Sequence, residues 1–126
     1  MSMSAFLLLP MVVRLVVPPG RPGVYMLGGL ESSDGSFFPR FVGRSDSDVQ
    51  SCLMHHAQIP LFNYFRCRSY KSKEEAYHME CFYWHALFEF GKLFNLVHPD
   101  APSNSRLKCP YCSEQRLSQT LPHSTA

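Results

Sequence analysis

Cys109-Pro110-Tyr111-Cys112 places two thiols three residues apart, and Cys81-x3-His85 places a thiol and an imidazole four residues apart, the spacing at which helical side chains stand one above the other. Structural zinc takes four tetrahedral Cys or His ligands, often two from such a turn and two from such a helix. A Cys3His zinc site of Cys81, His85, Cys109 and Cys112 is therefore expected, with His98 of His98-Pro99 competing for a position. The alternatives are a core Cys81 and surface His85 beside an idle, reduced Cys-x2-Cys, or a thioredoxin-like redox pair. The redox pair fits less well, because no strand leads directly into the motif. Glu80 immediately precedes Cys81. A carboxylate beside an apolar helix face is costly unless something pairs with it.

Five cysteines in 126 residues is an odd number, which excludes a fully paired disulfide framework. With the Cys-x2-Cys pair this points to a reducing compartment, the cytoplasm. The length sets one domain, and 45% hydrophobic against 17% charged residues is the composition of a folded globular chain. Net charge is only +2, so any nucleic-acid-binding surface must be local. It is: residues 37–73 carry six Arg and Lys against two Asp, whereas residues 74–126 carry four against six acids. Fourteen of the seventeen aromatic residues lie between Phe37 and Phe94, interleaved with that basic stretch.

The elements that must position these residues follow from local pattern. Ala5 to Val17 is apolar, but it is shorter than a membrane span, which needs about 20 residues. It also lacks the basic leader of a secretory signal. It reads as an extra strand on the domain edge or a leader. GVYML (23–27) and FFPRFVG (37–43) read as strands joined by a Gly/Ser/Asp loop, with Pro39 marking an edge or a bulge. Ser45 to Asp48 supplies the N-cap of a helix through Val49, Leu53 and His56 that ends before Pro60, and LFNYFRCRSY (61–70) reads as a third strand. Ser72-Lys-Glu-Glu75 is a capping box, and Gly91 is placed to stop the helix that follows. Ala76, Met79, Tyr83, Leu87 and Phe90 recur along one face of that helix, with Glu80 at the edge and Cys81 and His85 on the other side. Leu117 to Ala126 reads as a frayed tail.

Gly23-Val24-Tyr25, Phe41-Val42-Gly43-Arg44-Ser45, His56, Glu80 and Asn95, in that order and spacing, resemble the GIY-YIG nuclease family over roughly residues 20–112. Small relatives of that kind look similar again in the E-C-x3-H helix and the H-P and C-P-x-C ending. The resemblance implies an α+β fold, a small three-stranded antiparallel sheet flanked by helices, with a zinc-stapled C-terminal loop. It divides the chain into a leader or extra strand (1–19), the nuclease-like domain (20–95), a zinc-binding extension (96–114) and a disordered tail (115–126). The implied chemistry is metal-dependent hydrolysis of DNA. Glu80 would hold Mg2+ or Mn2+, Tyr25 would accept a proton or position water, and His56 would relay it. Arg44 would pair with phosphate, and Asn95 would orient backbone or substrate. No organic cofactor and no membrane are expected. Arg40, Arg66, Arg68, Lys71 and Lys73 are the candidate DNA phosphate contacts.

Two positions depart from the family pattern. Phe41 stands where a tyrosine is usual, a ring that packs but exchanges no proton. Cys52 stands where the family carries an arginine, and loss of a preorganised donor from such a site costs on the order of 10²–10³ in rate. Arg44, Arg66 and Arg68 are the candidate substitutes. A catalytically degenerate, zinc-stabilised module that binds nucleic acid or a protein is the alternative reading.

Overall fold

The computed structural model describes residues 4–59, 61–89, 93–94 and 98–112. The order of elements is β1 (Phe6–Leu7), α1 (Pro10–Val16), β2 (Gly23–Leu30), β3 (Phe37–Ser45), α2 (Val49–His56), β4 (Tyr64–Ser69) and α3 (Lys73–Phe88). This is a small α+β chain with a four-stranded antiparallel sheet, ordered β1-β4-β2-β3, and three helices. The expected three strands are present, and the fourth is β1, whose Phe6 and Leu7 pair with Phe65 and Tyr64. The rest of the apolar N-terminal stretch is not a strand but helix α1. Pro10 occupies its first turn, where the missing N–H costs nothing and the fixed φ favours a helix.

β2 is the central strand and is buried on both faces from Gly23 to Gly28. Alternate residues serve two cores. Tyr25 and Leu27 join Phe65, Val13, Val49 and Leu53 under α1 and α2. Val24 and Met26 join Val42, Ala76 and Trp84 under α3. The sheet is thus sandwiched, and a side chain's parity in β2 decides which helix it meets.

Both long helices start as the sequence predicts. Asp48 caps α2 by accepting from Ser51 N–H at 3.3 Å, and it also accepts from Gly20 N–H at 3.1 Å, tying the α1–β2 loop to the helix. Ser72 caps α3 by accepting from Glu75 N–H at 3.1 Å. The Glu75 carboxylate reaches back to Lys71 N–H at 3.0 Å, one residue beyond the usual box partner. The buried face of α3 is wider than its apolar period indicates. Ala76, Tyr77, Glu80, Cys81, Trp84 and His85 are buried, and Met79, Tyr83 and Leu87 flank them. The segment from His98 packs on the helix's second side, bringing the His98 ring 5.1 Å from Trp84, so Cys81 and His85 are covered too. Phe90, Gly91 and the tail 115–126 lie outside the described residues.

At Gly28 the β3 backbone passes so close that an added Cβ would overlap the Phe38 carbonyl, whereas beside Gly29 nothing lies within 4 Å. Gly28→Ala should therefore destabilise the fold by about 1–3 kcal/mol or more, because backbone cannot step aside. Gly29→Ala should stay within about 0.5 kcal/mol. Urea unfolding of the two variants checks the contrast.

Candidate functional site

The register of β2 positions the polar groups. Tyr25 stands opposite Gly43 on β3 and Cys67 on β4. Gly43 is needed there, since a Cβ at that position would lie 2.4 Å from the Tyr25 hydroxyl. The phenol runs across this glycine to His56 at the end of α2, with Oη 2.9 Å from Nε2. Phe41 packs beside both rings, 6.3 Å from Tyr25 and 5.7 Å from His56 between centroids. Burial raises the Tyr25 phenol above its ordinary value, with the charges of Cys52 and Glu80 adding to it. Burial and the neighbouring His55 lower His56 from its usual 6.5. At neutral pH both groups are uncharged, and which of them donates is set by the His56 tautomer: with the imidazole proton on Nδ1, the phenol donates to Nε2.

On the other face of the sheet, Arg44 stands opposite Val24 and meets α3. Its Nη1–H donates to Glu80 Oε1 at 2.9 Å, and its Nε–H to Asp46 Oδ1 at 2.6 Å. Its guanidinium carbon lies 5.2 Å from the centre of the Tyr77 ring. Glu80 is buried, 8% exposed. Burial pushes its carboxyl up to about 7, and Arg44 opposes this but does not overcome it. The charges of Asp46, which shares Arg44, and of Asp100 add to the effect of burial. Asp46 and Tyr77 are site residues that the sequence reading missed. Tyr77 precedes Glu80 by three positions, one turn back on the helix, and that spacing was the available signal.

The C-terminal cluster forms with one exchange of ligand. His85, His98, Cys109 and Cys112 place their donor atoms within 4.8 Å of one another. His85 Nε2 lies 3.2 Å from His98 Nε2, 3.3 Å from Cys109 Sγ and 3.6 Å from Cys112 Sγ, and His98 Nε2 lies 3.2 Å from Cys112 Sγ. A tetrahedral zinc ion with Zn–N near 2.0 Å and Zn–S near 2.3 Å has ligand–ligand edges of roughly 3.3–3.8 Å. These four donors therefore could hold zinc. His98 Nδ1 lies 2.7 Å from the Pro99 carbonyl, which holds the proton on Nδ1 and turns the Nε2 lone pair to the cluster. Cys81 is not among the four; its fully buried thiol sits behind them in hydrogen-bonding contact with Cys109 and Tyr77. The expected Cys3His set is thus a His2Cys2 cluster. His85, the one cluster ligand that α3 supplies, is five residues from Glu80, so about 140° separates the two around the helix and they point to different sides of it.

The remaining candidates are dispersed. Arg66 and Arg68 stand opposite Met26 and Val24 and so share the α3 face with Arg44. None of the three stands on the face of Cys52, which packs among Tyr25, Val49 and Leu53. Arg66 lies over Phe37 at 4.8 Å, and Arg40 over Phe94 and Phe38 at 4.5 and 5.4 Å. Lys71 and Lys73 lie at the start of α3, Lys71 exposed. Asn95 lies outside the described residues. Burial pushes the Cys67 thiol up to about 12, so it is inert. Among the described residues no helix is long and apolar enough to cross a membrane.

Two measurements follow. The purified chain should carry one equivalent of zinc, and His98→Ala, Cys109→Ser or Cys112→Ser should lose it, with a fall in Tm of about 10 °C or more. Cys81→Ser should retain it, and metal analysis of the four variants decides between the ligand sets. For Glu80, a carboxyl raised in the fold contributes stability below its unfolded pKa near 4.3 that is lost as pH climbs through about 7. Glu80→Gln lacks that loss, so its stability relative to the native chain should rise by up to about 3 kcal/mol between pH 4 and pH 8. A flat difference across this window would show that Glu80 ionises normally.

No family model, no curated protein and no solved structure matches the chain.

Proposed function

We propose that this chain is a small divalent-metal-dependent endonuclease of the GIY-YIG kind, hydrolysing DNA phosphodiester bonds, slowed by the cysteine at position 52 and closed at its C-terminus by structural zinc. The observation that carries the reading is the Tyr25–His56 hydrogen bond at 2.9 Å, on the sheet face opposite Arg44 and Glu80. With the His56 proton on Nδ1, a phenol that is neutral at rest and hydrogen-bonded to Nε2 can accept a proton from an attacking water while passing its own to His56. Neither group needs to ionise beforehand. A divalent ion, when bound, supplies Lewis acidity at the phosphate and neutralises the charge that develops there.

Glu80 fits the role of ion ligand in one respect and resists it in another. It is a buried carboxylate beside the sheet, but its Oε1 already takes the Arg44 proton at 2.9 Å. An ion would use the remaining carboxylate oxygen, lower the carboxyl's pKa and weaken the hold on Arg44. That would free a planar guanidinium for a phosphate.

Nicking of supercoiled plasmid with Mg2+ or Mn2+ tests this. Glu80→Ala should lower the rate by about 10²-fold or more, and Tyr25→Phe by about 10²–10⁴-fold. Because His56 must be neutral to accept the proton, the rate should fall as pH drops through the His56 pKa, which lies below the usual 6.5. A native rate equal to that of Glu80→Ala would sink the proposal. A specific observation favours the second reading, a degenerate module that binds nucleic acid or protein without cutting: Cys52 packs into the apolar cluster around Tyr25. Under that reading the native chain does not cut, and Cys52→Arg with Phe41→Tyr restores cleavage.

A further inference from the structure

The β2–β3 ladder slips by one residue between Leu27 and Gly28. Leu27 pairs with Phe41 and Gly28 with Pro39, which leaves Arg40 as the extra residue of a β-bulge. A bulge re-aims the side chain it contains, so Arg40 escapes the alternation that places Arg44, Arg66 and Arg68 on the α3 face. Its guanidinium lies between Phe38 and Phe94, and the Phe94 N–H donates to the Arg40 carbonyl at 2.6 Å on the outer edge of β3. Phe94 in turn rests on Phe62, 5.4 Å away, which packs against the cluster that contains Tyr25. The next residue after Arg40 is Phe41, the ring beside Tyr25 and His56. Arg40 is therefore the strand arginine tied by contacts to the Tyr25 side of the sheet.

Its Nε donor is also uncommitted. Arg44 spends its N–H groups on Asp46 and Glu80, whereas Arg40 Nε is buried with no hydrogen-bond partner among the described residues. Among those residues no carboxylate forms an ion pair with it. A guanidinium with an open Nε–H donor, set against two rings, suits a planar two-oxygen acceptor. Phe94, the nearer of the two rings, is itself 51% exposed.

We infer that Arg40 is a phosphate-binding arginine on the Tyr25–His56 side of the sheet, delivered there by the β3 bulge and additional to Arg44 on the Glu80 side. The inference rests on the nucleic-acid reading of the Tyr25–His56 site but not on cleavage. The test uses the full zinc-loaded chain and a short fluorescent DNA duplex without added Mg2+, over about 50 to about 200 mM salt. Arg40→Met keeps the hydrophobic stem over the rings and removes the charge. It should weaken binding about five- to tenfold and flatten the slope of log K against log salt by roughly one. Arg40→Lys should restore the slope, which depends on charge, and only part of the affinity, which depends on the fork. Far-UV circular dichroism and Tm on both variants establish that each is folded; if Arg40→Met is not, the affinity gap between native and Arg40→Lys is the readout. Duplex binding that Arg40→Met leaves unchanged in affinity and slope overturns the assignment, as does no duplex binding by the native chain. Arg40-dependent binding without nicking upholds it while removing the nuclease reading.

Discussion

Burying a carboxylate under a helix is tolerable only with a cation beside it, and in this protein the demand is met by one strand residue. Arg44 reaches α3 because it is in register with Val24, and the register of β3 on β2 thereby sets where Glu80 and the whole of α3 lie on the sheet. The pair is not a simple neutral lock. Asp46 takes a share of Arg44 at 2.6 Å, so the site holds one guanidinium against two carboxylates, and burial, with the charge of Asp46 added, keeps Glu80 reluctant to ionise. A cluster short of positive charge at a buried edge is suited to taking up a further cation, and the proposed catalytic ion would relieve that shortage.

The same helix is closed from its second side by the His2Cys2 cluster. His85 supplies one donor from α3 itself, and the other three come from residues 98–112, so an ion there would clamp the C-terminal segment onto the helix that carries Glu80. Cys81 lies between the two sites, touching Cys109 on one side and Tyr77 on the other, and Tyr77 carries the Arg44 guanidinium on its ring. The structural and the proposed reactive halves of the molecule thus share a helix and a continuous set of contacts. The sheet separates them from the Tyr25–His56 pair, which α2 supplies from the opposite face.

What could be read from the residues was whatever local chemistry decides. Ser72 and Asp48 announce their helices because a cap is a contact within three residues, and Cys109-x2-Cys112 announces a cluster because both donors belong to one turn. The choice of His98 over Cys81 was not legible, since it depends on how a segment thirteen residues beyond His85 folds back. The N-terminal Val and Leu run reads as a strand by propensity, and only its packing on α2 and the Pro10 start make it a helix. The width of the buried face of α3 escaped for a related reason: periodicity records one partner surface, and this helix has two. Arg40 shows a third limit, because alternation assumes an unbroken ladder and a single bulge changes the face of a side chain. The nuclease resemblance rests on motifs in order and remains a proposal.

Paramagnetic broadening by Mn2+ in the NMR spectrum of the zinc-loaded chain tests the central claim most directly, because it locates a catalytic ion independently of turnover. The proposed site predicts that signals of Arg44, Asp46, Tyr77 and Glu80 broaden first, and that Glu80→Gln abolishes the effect there. Broadening confined to exposed acids such as Glu31 and Asp34, with the Glu80 neighbourhood untouched, would contradict it.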